Sequence, residues 1–258
     1  LSNLDHHKNN NLLSIEEVDI LNLKVGMKML RDIDYVFHFA GIGDIVPSIE
    51  KPRLYFNNNV VGTLNILECF RNSNLKKLVY AASSSCYGLA KTPTDEKHQI
   101  NTEYPYALSK YQGAELVRHW YNVYKLPFNT ICIFNAYGTR SKTSGAYGAV
   151  FGVFLKQKIS NKPFTVVGDG TQKRDFDNVK DVVRAFYMAA ISNVIGEVFN
   201  VGSGKPQSIN YLIELLGGGK KVYLPKRKGE PDITYADISK IKKYLGWKPQ
   251  IKFETGVM

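Results

Sequence analysis

The chain has 258 residues, 44% of them hydrophobic and 22% charged, which excludes a disordered chain and allows one large domain or two small ones. Its formal net charge of +11 favours an anionic partner, and because the basic residues are scattered we expect a phosphate-bearing small molecule and no nucleic acid. The three cysteines have no metal-ligand spacing and no apolar run reaches the roughly 20 residues that span a bilayer, so we expect a cytoplasmic protein with no metal and no membrane partner.

The first part of the chain alternates predicted strands and helices. Hydrophobic periodicity and turn residues predict, in chain order, a strand over 16–21, a helix over 22–32, a buried strand over 34–41, a helix around 59–73, a strand over 77–84, a long helix from near Tyr106 and a strand over 128–135. This alternation predicts an α/β fold with a parallel sheet.

The pattern changes after residue 138. Shorter elements and longer loops follow: a Gly/Ser-rich loop, a helix through Lys158, strands over 164–170 and 197–204, a helix over 179–192 and a small helix over 208–216. We therefore predict two domains. Residues 1–138 carry the parallel sheet, and residues 139–258 form mainly a smaller substrate-binding lobe, with some segments returning to the first sheet.

Tyr106 and Lys110 are four residues apart on the predicted long helix and so lie on one face. An ammonium group near a phenol favours the ionised phenol, which would make Tyr106 a general base. The face of an amphipathic helix explains this pair equally well when it is considered alone.

A run of serines follows one of the predicted buried strands. Ser83, Ser84 and Ser85 stand at its carboxyl end, where parallel α/β sheets bind ligands. A polar turn explains a lone serine. The order of strand, serines, loop and Tyr-x-x-x-Lys is much harder to obtain by chance, and the two signals support each other.

Several segments together resemble a known family. FHFAG, NNNVVGTLNILE, YAASSSCYG, YPYALSK, FNAYGTR, VVGDGTQKRDF and GEPDITYADISK occur in an order and spacing similar to the extended short-chain dehydrogenase/reductases, in particular the UDP-glucose and UDP-N-acetylglucosamine 4-epimerases. The resemblance covers the chain from about Glu17 onward. It implies a Rossmann-like, doubly wound parallel sheet, NAD as the cofactor, a homodimer, and 4-epimerisation of a nucleotide-diphospho-sugar through a transient 4-keto sugar.

The resemblance also implies roles for individual residues. Tyr106 would be the base, Lys110 would hold the nicotinamide ribose, and Ser83, with Ser84 as its competitor, would hydrogen-bond the reacting oxygen. The remaining cofactor contacts would be Asp19, Ile20, Phe39, Ala40, Gly41, Asn59 and Ala81. The substrate contacts would be Asn135 on the sugar and phosphates, Ala149, Val150, Phe154, Thr165 and Val167 around the base, Arg174 and Arg227 on the diphosphate, and Glu230 on the ribose.

One part of the family pattern is not found. Members open with a strand and a GxxGxxG turn that receives the dinucleotide pyrophosphate, and the chain has no such turn. We therefore expect that an N-terminal β-α-β unit is missing and that the chain as given is inactive. The resemblance favours NAD over NADP. The acidic residue that decides between the two cofactors belongs to the part of the family pattern that is not found in this chain.

The reaction has alternatives. A 4,6-dehydratase of this family carries Asp-Glu directly after the Ser/Thr position, where this chain has Ser84 and Ser85, so dehydration is disfavoured. A 4-ketoreductase remains open, as does a non-catalytic nucleotide-binding or RNA-binding relative. In the resembling epimerases a tyrosine before the aromatic of the YAD segment excludes N-acetylated sugars. This chain has Thr234 at that position, which implies that it accepts N-acetylhexosamines. The alternative, which has equal weight, is that Thr234 is an ordinary strand residue with no role in substrate choice.

Overall fold

The computed structural model describes residues 2–7, 9–141, 143, 150–226 and 230–258. Its strands are β1 (Tyr35–His38), β2 (Lys77–Ser83), β3 (Phe128–Ile133), β4 (Asn135–Tyr137), β5 (Phe164–Val167), β6 (Lys173–Arg174), β7 (Phe176–Asn178), β8 (Glu197–Val201), β9 (Gln207–Ser208) and β10 (Lys221–Leu224). Its α-helices are α1 (Ile45–Glu50), α2 (Pro52–Phe56), α3 (Gly62–Phe70), α4 (Pro105–Tyr124), α5 (Val150–Ile159), α6 (Val179–Ile191), α7 (Ile209–Leu215), α8 (Ser239–Leu245) and α9 (Phe253–Val257).

A four-stranded parallel sheet organises the molecule, with the strand order β1-β2-β3-β8. The register places Ala81 beside Ile131 and Ile131 beside Phe199. Strands that are covered on both faces need apolar residues at every position, and β2 is buried along its length except at its last residue. The parallel α/β sheet that the sequence predicts is confirmed, and β8 joins it from the second half of the chain.

Apolar clusters cover both faces of this sheet. On one face, α6 and the C-terminal segment around Trp247 pack against β2, β3 and β8. On the other face, α3 and α4 pack against the same sheet. Trp247 is fully buried, and its indole N–H donates to the Asp181 carbonyl at 3.0 Å, so the ring is buried without an unsatisfied donor.

A third cluster, rich in aromatic residues, lies outside the four-stranded sheet. Phe176 of β7 stacks on Phe253 of α9 with ring centroids 5.0 Å apart, and Phe154 of α5 meets Phe164 of β5 edge-on at 5.2 Å. Three two-stranded pairs surround it, β4 with β7, β5 with β10, and β6 with β9. Its residues all lie between Tyr137 and Val257, so it forms a core of the second half of the chain.

Residues 16–32 differ from the prediction. The expected strand over 16–21 and helix over 22–32 are replaced by extended chain and two short 3₁₀ turns, Ile20–Asn22 and Lys28–Leu30. A strand needs a neighbour for its backbone hydrogen bonds, and within the described residues β1 pairs with β2 alone. Gly26 has a φ of +85° inside the expected helix, which right-handed helical geometry does not allow.

Among the parts of the chain that the structure describes, no helix is both long enough and apolar enough to cross a bilayer.

Candidate active site

A cavity of about 380 Å³ opens at the carboxyl ends of β2 and β3. Its walls come from the turn after β2, the start of α4, β4 and the segment before α8, and also from the loop that precedes α1. Six of the predicted site residues line it: Ser83, Ser84, Tyr106, Asn135, Val150 and Thr234. The carboxyl edge of a parallel sheet collects side chains from separate strands, and the fold therefore brings these distant residues together.

Ser83 and Tyr106 form the centre of the cavity. Ser83 is the last residue of β2, and its hydroxyl lies 2.9 Å from the Ser85 hydroxyl and accepts a hydrogen bond from the Ser85 N–H at 3.3 Å. The proximity of the Ser83 hydroxyl acts to lower the pKa of the Tyr106 phenol. The strand end and the helix start thus present two hydroxyl groups to one point, which is what proton transfer to or from a bound hydroxyl requires.

The pKa of Tyr106 does not behave as the sequence predicts. Burial is the largest influence and raises this pKa above its ordinary value, and the negative charge of Asp44 adds to the rise. The sequence predicts that Lys110 lowers the pKa of Tyr106. The structure shows no such lowering, because burial outweighs the influences that favour the phenolate. Burial also lowers the pKa of Lys110 to about 8, so that the ammonium form still prevails at neutral pH.

Lys110 lies over the ring of Tyr80 rather than in an ion pair. Its Nζ atom is 4.5 Å from the ring centroid and donates no hydrogen bond to any described residue. Behind it, His38 is buried, and burial lowers its pKa to about 3, so the imidazole is neutral. Thr63 donates its hydroxyl hydrogen to the Asn59 carbonyl and therefore accepts from His38 Nε2 at 2.9 Å. The charge behind the cavity therefore resides on Lys110.

Thr234 and Asn135 are joined by a hydrogen bond. The Thr234 hydroxyl donates to Asn135 Oδ1 at 2.7 Å and accepts from the Asp175 N–H at 3.1 Å. Asp175 is itself held by the Ser203 and Ala236 backbone N–H groups at 2.7 and 2.9 Å. Because its oxygen is occupied, the Asn135 carboxamide is left with its N–H₂ group to donate into the cavity.

Arg174 and Glu230 meet in a second cavity of about 250 Å³, which Val167 also lines. The Arg174 side chain is 9% exposed, and its guanidinium contacts a Glu230 carboxylate oxygen at 2.7 Å and the Pro231 carbonyl at 2.9 Å. The other carboxylate oxygen of Glu230 has no hydrogen-bond partner among the described residues. The two side chains that the resemblance assigns to the diphosphate and the ribose are therefore adjacent.

Two of the predicted cofactor residues, Gly41 and Asn59, meet in the loop that follows the carboxyl end of β1. Asn59 joins the loop after β1 to α4, since it exchanges two hydrogen bonds with Ile42, at 2.8 and 3.0 Å, and donates to Ser109 at 2.9 Å. A Cβ atom on Gly41, whose φ is +151°, would stand 2.7 Å from the Asn59 side-chain oxygen, so only glycine fits there. The absence of a side chain leaves the backbone open beside Lys110.

The other predicted cofactor residues are spread more widely. Asp19 accepts the Leu21 N–H at 2.9 Å, and Ile20 packs over Gly62. Phe39 is half exposed and lies against Phe186, with ring centroids 4.4 Å apart. The remaining two are Ala40, which is exposed, and Ala81, which is buried in β2.

Two predicted base-pocket residues are not brought to the walls of these cavities. Phe154 is a correction, because its ring is fully buried against Phe164 and cannot contact a nucleotide without repacking. Thr165 lines a separate cavity with Gln157, whose side-chain amide donates to its hydroxyl at 2.8 Å. Ala149 and Arg227 lie outside the described residues.

The sequence analysis did not name Asp44 and gave Ser85 no role in the site, yet both residues line the main cavity. Ser85 was visible as the third serine of its run. Asp44 was harder to find, because its one signal is a carboxylate placed directly between the glycine-punctuated end of β1 and the apolar start of α1.

The chain is similar to known proteins in both sequence and fold. The family model described as GDP-mannose 4,6 dehydratase matches residues 1–258. A UDP-glucuronate 4-epimerase of Thermodesulfobacterium geofontis is 36% identical over 251 residues, which is 93% of this chain and 76% of that protein.

Two solved structures have similar folds. A UDP-N-acetylglucosamine 4-epimerase from Methanobrevibacter ruminantium, in complex with UDP-N-acetylmuramic acid, superposes with a TM-score of 0.91 at 30% identity over 96% of this chain and 82% of that one. A UDP-glucuronic acid 4-epimerase from Bacillus cereus, in complex with UDP-glucuronic acid and NAD, gives a TM-score of 0.92 at 31% identity over 99% of this chain and 82% of that one. The Rossmann-like fold is confirmed by these two superpositions.

Proposed function

The chain belongs to the GDP-mannose 4,6-dehydratase family, and from this membership we propose that it is an NAD-dependent nucleotide-diphospho-sugar 4-epimerase. One observation carries the proposal: Ser83 and Tyr106 line the same cavity, and the two residues that follow Ser83 in its wall are serines. A dehydratase needs a second acid/base pair to eliminate water, and two serines cannot supply it. UDP-sugar 4-epimerases among the similar proteins support the same reaction.

Tyr106 removes the proton of the sugar 4-hydroxyl and returns it, while Ser83 holds the reacting oxygen by a hydrogen bond. The phenol is neutral in the cavity because burial raises its pKa, so its ionisation requires a positive charge nearby. Asn135 donates from its free amide group to the sugar or to the phosphate next to it. Arg174 offers a guanidinium to the diphosphate and exchanges its contact with Glu230 for one with phosphate oxygens.

The residues around Lys110 fit a nicotinamide dinucleotide. Lys110 is buried with three N–H donors that no described residue accepts, beside the open backbone of Gly41, and ribose hydroxyls are suitable acceptors. Lys110, Gly41 and Tyr106 would hold the nicotinamide ribose, and Asp19, Ile20, Phe39, Ala40, Asn59 and Ala81 would line the rest of the site. When bound, NAD accepts a hydride from C4 of the sugar and returns it to the opposite face, so that the sugar passes through a 4-keto state.

We propose that the two parts of the chain divide this work. Residues 1–138 supply three strands of the parallel sheet, Lys110 and Tyr106, and residues 139–258 supply Arg174, Glu230 and Thr234. The strand β8 returns from the second part to the sheet of the first. A reaction site between two parts of a chain can enclose a sugar that neither part encloses alone.

We also propose that the protein is a homodimer. Apolar side chains of α2, of the π-helical turn after it and of α4 are exposed, among them Leu54, Val61 and Val123, which are 43–52% exposed. Burying such side chains stabilises helix-helix association. Trp120 of α4 packs in the core and is not part of this exposed surface. Light scattering that gives a monomer at micromolar concentration would contradict the dimer.

The experiment that tests the proposed function is NAD-supplemented turnover of UDP-glucose and UDP-N-acetylglucosamine by the full-length protein, followed by chromatography of the sugar nucleotides. Tyr106→Phe should lower kcat by about 10²–10⁴-fold, because a positioned base is lost. Tyr124→Phe is the matched control, since it removes a hydroxyl from the exposed end of the same helix.

Three outcomes would count against the proposal. Wild-type turnover by Tyr106→Phe would remove the base assignment. A 4-keto-6-deoxy product would establish a dehydratase. Nucleotide binding without any turnover would favour the non-catalytic relative.

A further inference from the structure

Asp44 places a carboxylate in the wall of the main cavity, together with Ser83 and Tyr106. It is near enough to the phenol for its charge to raise the pKa of Tyr106. That rise opposes ionisation of the Tyr106 phenol, so the Asp44 carboxylate hinders proton removal. Its place in the cavity is therefore better explained by a role in binding than by a role in proton transfer.

The usual structural use of an aspartate at this place is absent. Asp44 precedes α1 directly, where an aspartate side chain commonly caps the helix, but its carboxylate makes no capping hydrogen bond. It forms no ion pair and no side-chain hydrogen bond with any residue that the structure describes. The carboxylate oxygens are therefore available to a molecule in the cavity.

The backbone holds Asp44 in a fixed position. Its φ is +76°, a conformation that residues with a side chain rarely adopt. Tyr55 donates its hydroxyl to the Gly43 carbonyl at 2.5 Å, and the Asn59 amide binds Ile42 on both its N–H and its carbonyl. The two residues before Asp44 are thus tied to α2 and to the turn that follows it, which aims the carboxylate at the cavity.

The part of the cavity wall that the structure describes carries no positive charge that would compensate a second carboxylate. Among its described lining residues there is no lysine, arginine or histidine; the polar groups are hydroxyls, the Asn135 amide and Asp44 itself. A carboxylate accepts hydrogen bonds from sugar hydroxyls and repels another carboxylate that is a few ångström away. At a separation of a few ångström this repulsion lowers the affinity for an acidic sugar on the order of 10²-fold.

We propose that Asp44 accepts hydrogen bonds from hydroxyl groups of the bound sugar and excludes sugars that carry a carboxylate. The proposal rests on the proposed epimerase function and names its substrate class: neutral hexoses and N-acetylhexosamines, and not uronates. It separates this chain from the UDP-glucuronate 4-epimerases to which it is similar.

The test measures kcat/KM and binding affinity for UDP-glucose, UDP-N-acetylglucosamine and UDP-glucuronate. The wild-type protein should use one of the neutral sugars at least about 100-fold better than UDP-glucuronate. Asp44→Asn removes the charge and keeps the shape, so the preference should fall to about tenfold or less and UDP-glucuronate should bind more tightly in calorimetry. Asp44→Gly, which suits the positive φ, should show the same change if the Asn variant does not fold.

Glu50→Gln is the matched control, because it removes an exposed carboxylate from the other end of α1, outside the cavity, and should leave the preference unchanged. Equal use of UDP-glucuronate and UDP-glucose by the wild-type protein, or an unchanged preference in both Asp44 variants, would overturn the role of Asp44 and leave the epimerase function in place. Failure of all three sugars to be epimerised would contradict the proposed function itself.

Discussion

Replacing Asp177 by asparagine should stabilise the protein, and the gain should grow with pH. Asp177 lies on β7, is 1% exposed, and neither of its carboxylate oxygens has a hydrogen-bond partner among the described residues. Burial, followed by the charges of Asp181 and Asp175, raises its pKa from 3.8 to about 8, while Arg184 opposes the rise. The ionised form of Asp177 is thus strongly disfavoured in the folded protein.

The sign and the size of the effect follow from this pKa. Between pH 4 and pH 8 the folded protein keeps a proton on Asp177 that the unfolded chain releases, so the wild-type stability falls as the pH rises. The slope is about 1.4 kcal/mol for each pH unit, which amounts to about 4 kcal/mol between pH 5 and pH 8. Asparagine does not titrate. Below about pH 4 the difference in the free energy of unfolding between the variant and the wild type is constant.

The assay is urea unfolding at pH 5, 6, 7 and 8, followed by far-ultraviolet circular dichroism, with the free energy of unfolding extrapolated to water. Asp34→Asn is the control, because the Asp34 side chain is 62% exposed and pairs with Lys76 at 3.2 Å. This substitution should change the free energy of unfolding by no more than about 0.5 kcal/mol at every pH. The reasoning fails if the difference between Asp177→Asn and the wild type is the same at pH 5 and at pH 8.

Two further predictions concern residues around the main cavity. Thr234→Val should raise KM for the sugar nucleotide about tenfold, because Asn135 loses the hydroxyl that orients it. Thr234→Ser keeps that hydroxyl and should have the wild-type KM. Steady-state kinetics that give the two variants the same KM would contradict this prediction. Tyr80→Leu should move the high-pH loss of kcat/KM to lower pH by about one unit. The substitution removes a ring that stabilises the Lys110 ammonium, so the pKa of that ammonium, which is about 8 in the wild type, falls further. Tyr80→Phe keeps the ring, and an equal shift in that variant would exclude the ring as the cause.

Much of the fold could be predicted from the sequence because it depends on local patterns. The strands β1, β2 and β3 and the helix α4 follow from runs and periods of apolar residues that extend over a few turns or pleats. Residues 16–32 show the limit of such patterns. A strand over 16–21 has the required composition, but pairing with a neighbour decides whether it forms.

The candidate site was predictable where its residues are close in sequence to a strand end or a helix start. Ser83 and Tyr106 belong to this group, and the parallel sheet brings them together. The partners of these residues were not predictable. The contact between Thr234 and Asn135 spans 99 residues of chain, and the ring under Lys110 comes from a strand 30 residues earlier.

By itself, the sequence determined the strands β1, β2 and β3, the helix α4 and the serine, tyrosine and lysine of the candidate site, because each of these depends on residue type and short-range spacing. The tertiary structure alone decided which charges are buried and what they face. Asp44 and Asp177 are both aspartates, yet one lines a cavity and the other is buried with no hydrogen-bond partner among the described residues. The dielectric environment and the available partners of a carboxylate depend on the elements packed around it, and these come from distant parts of the chain.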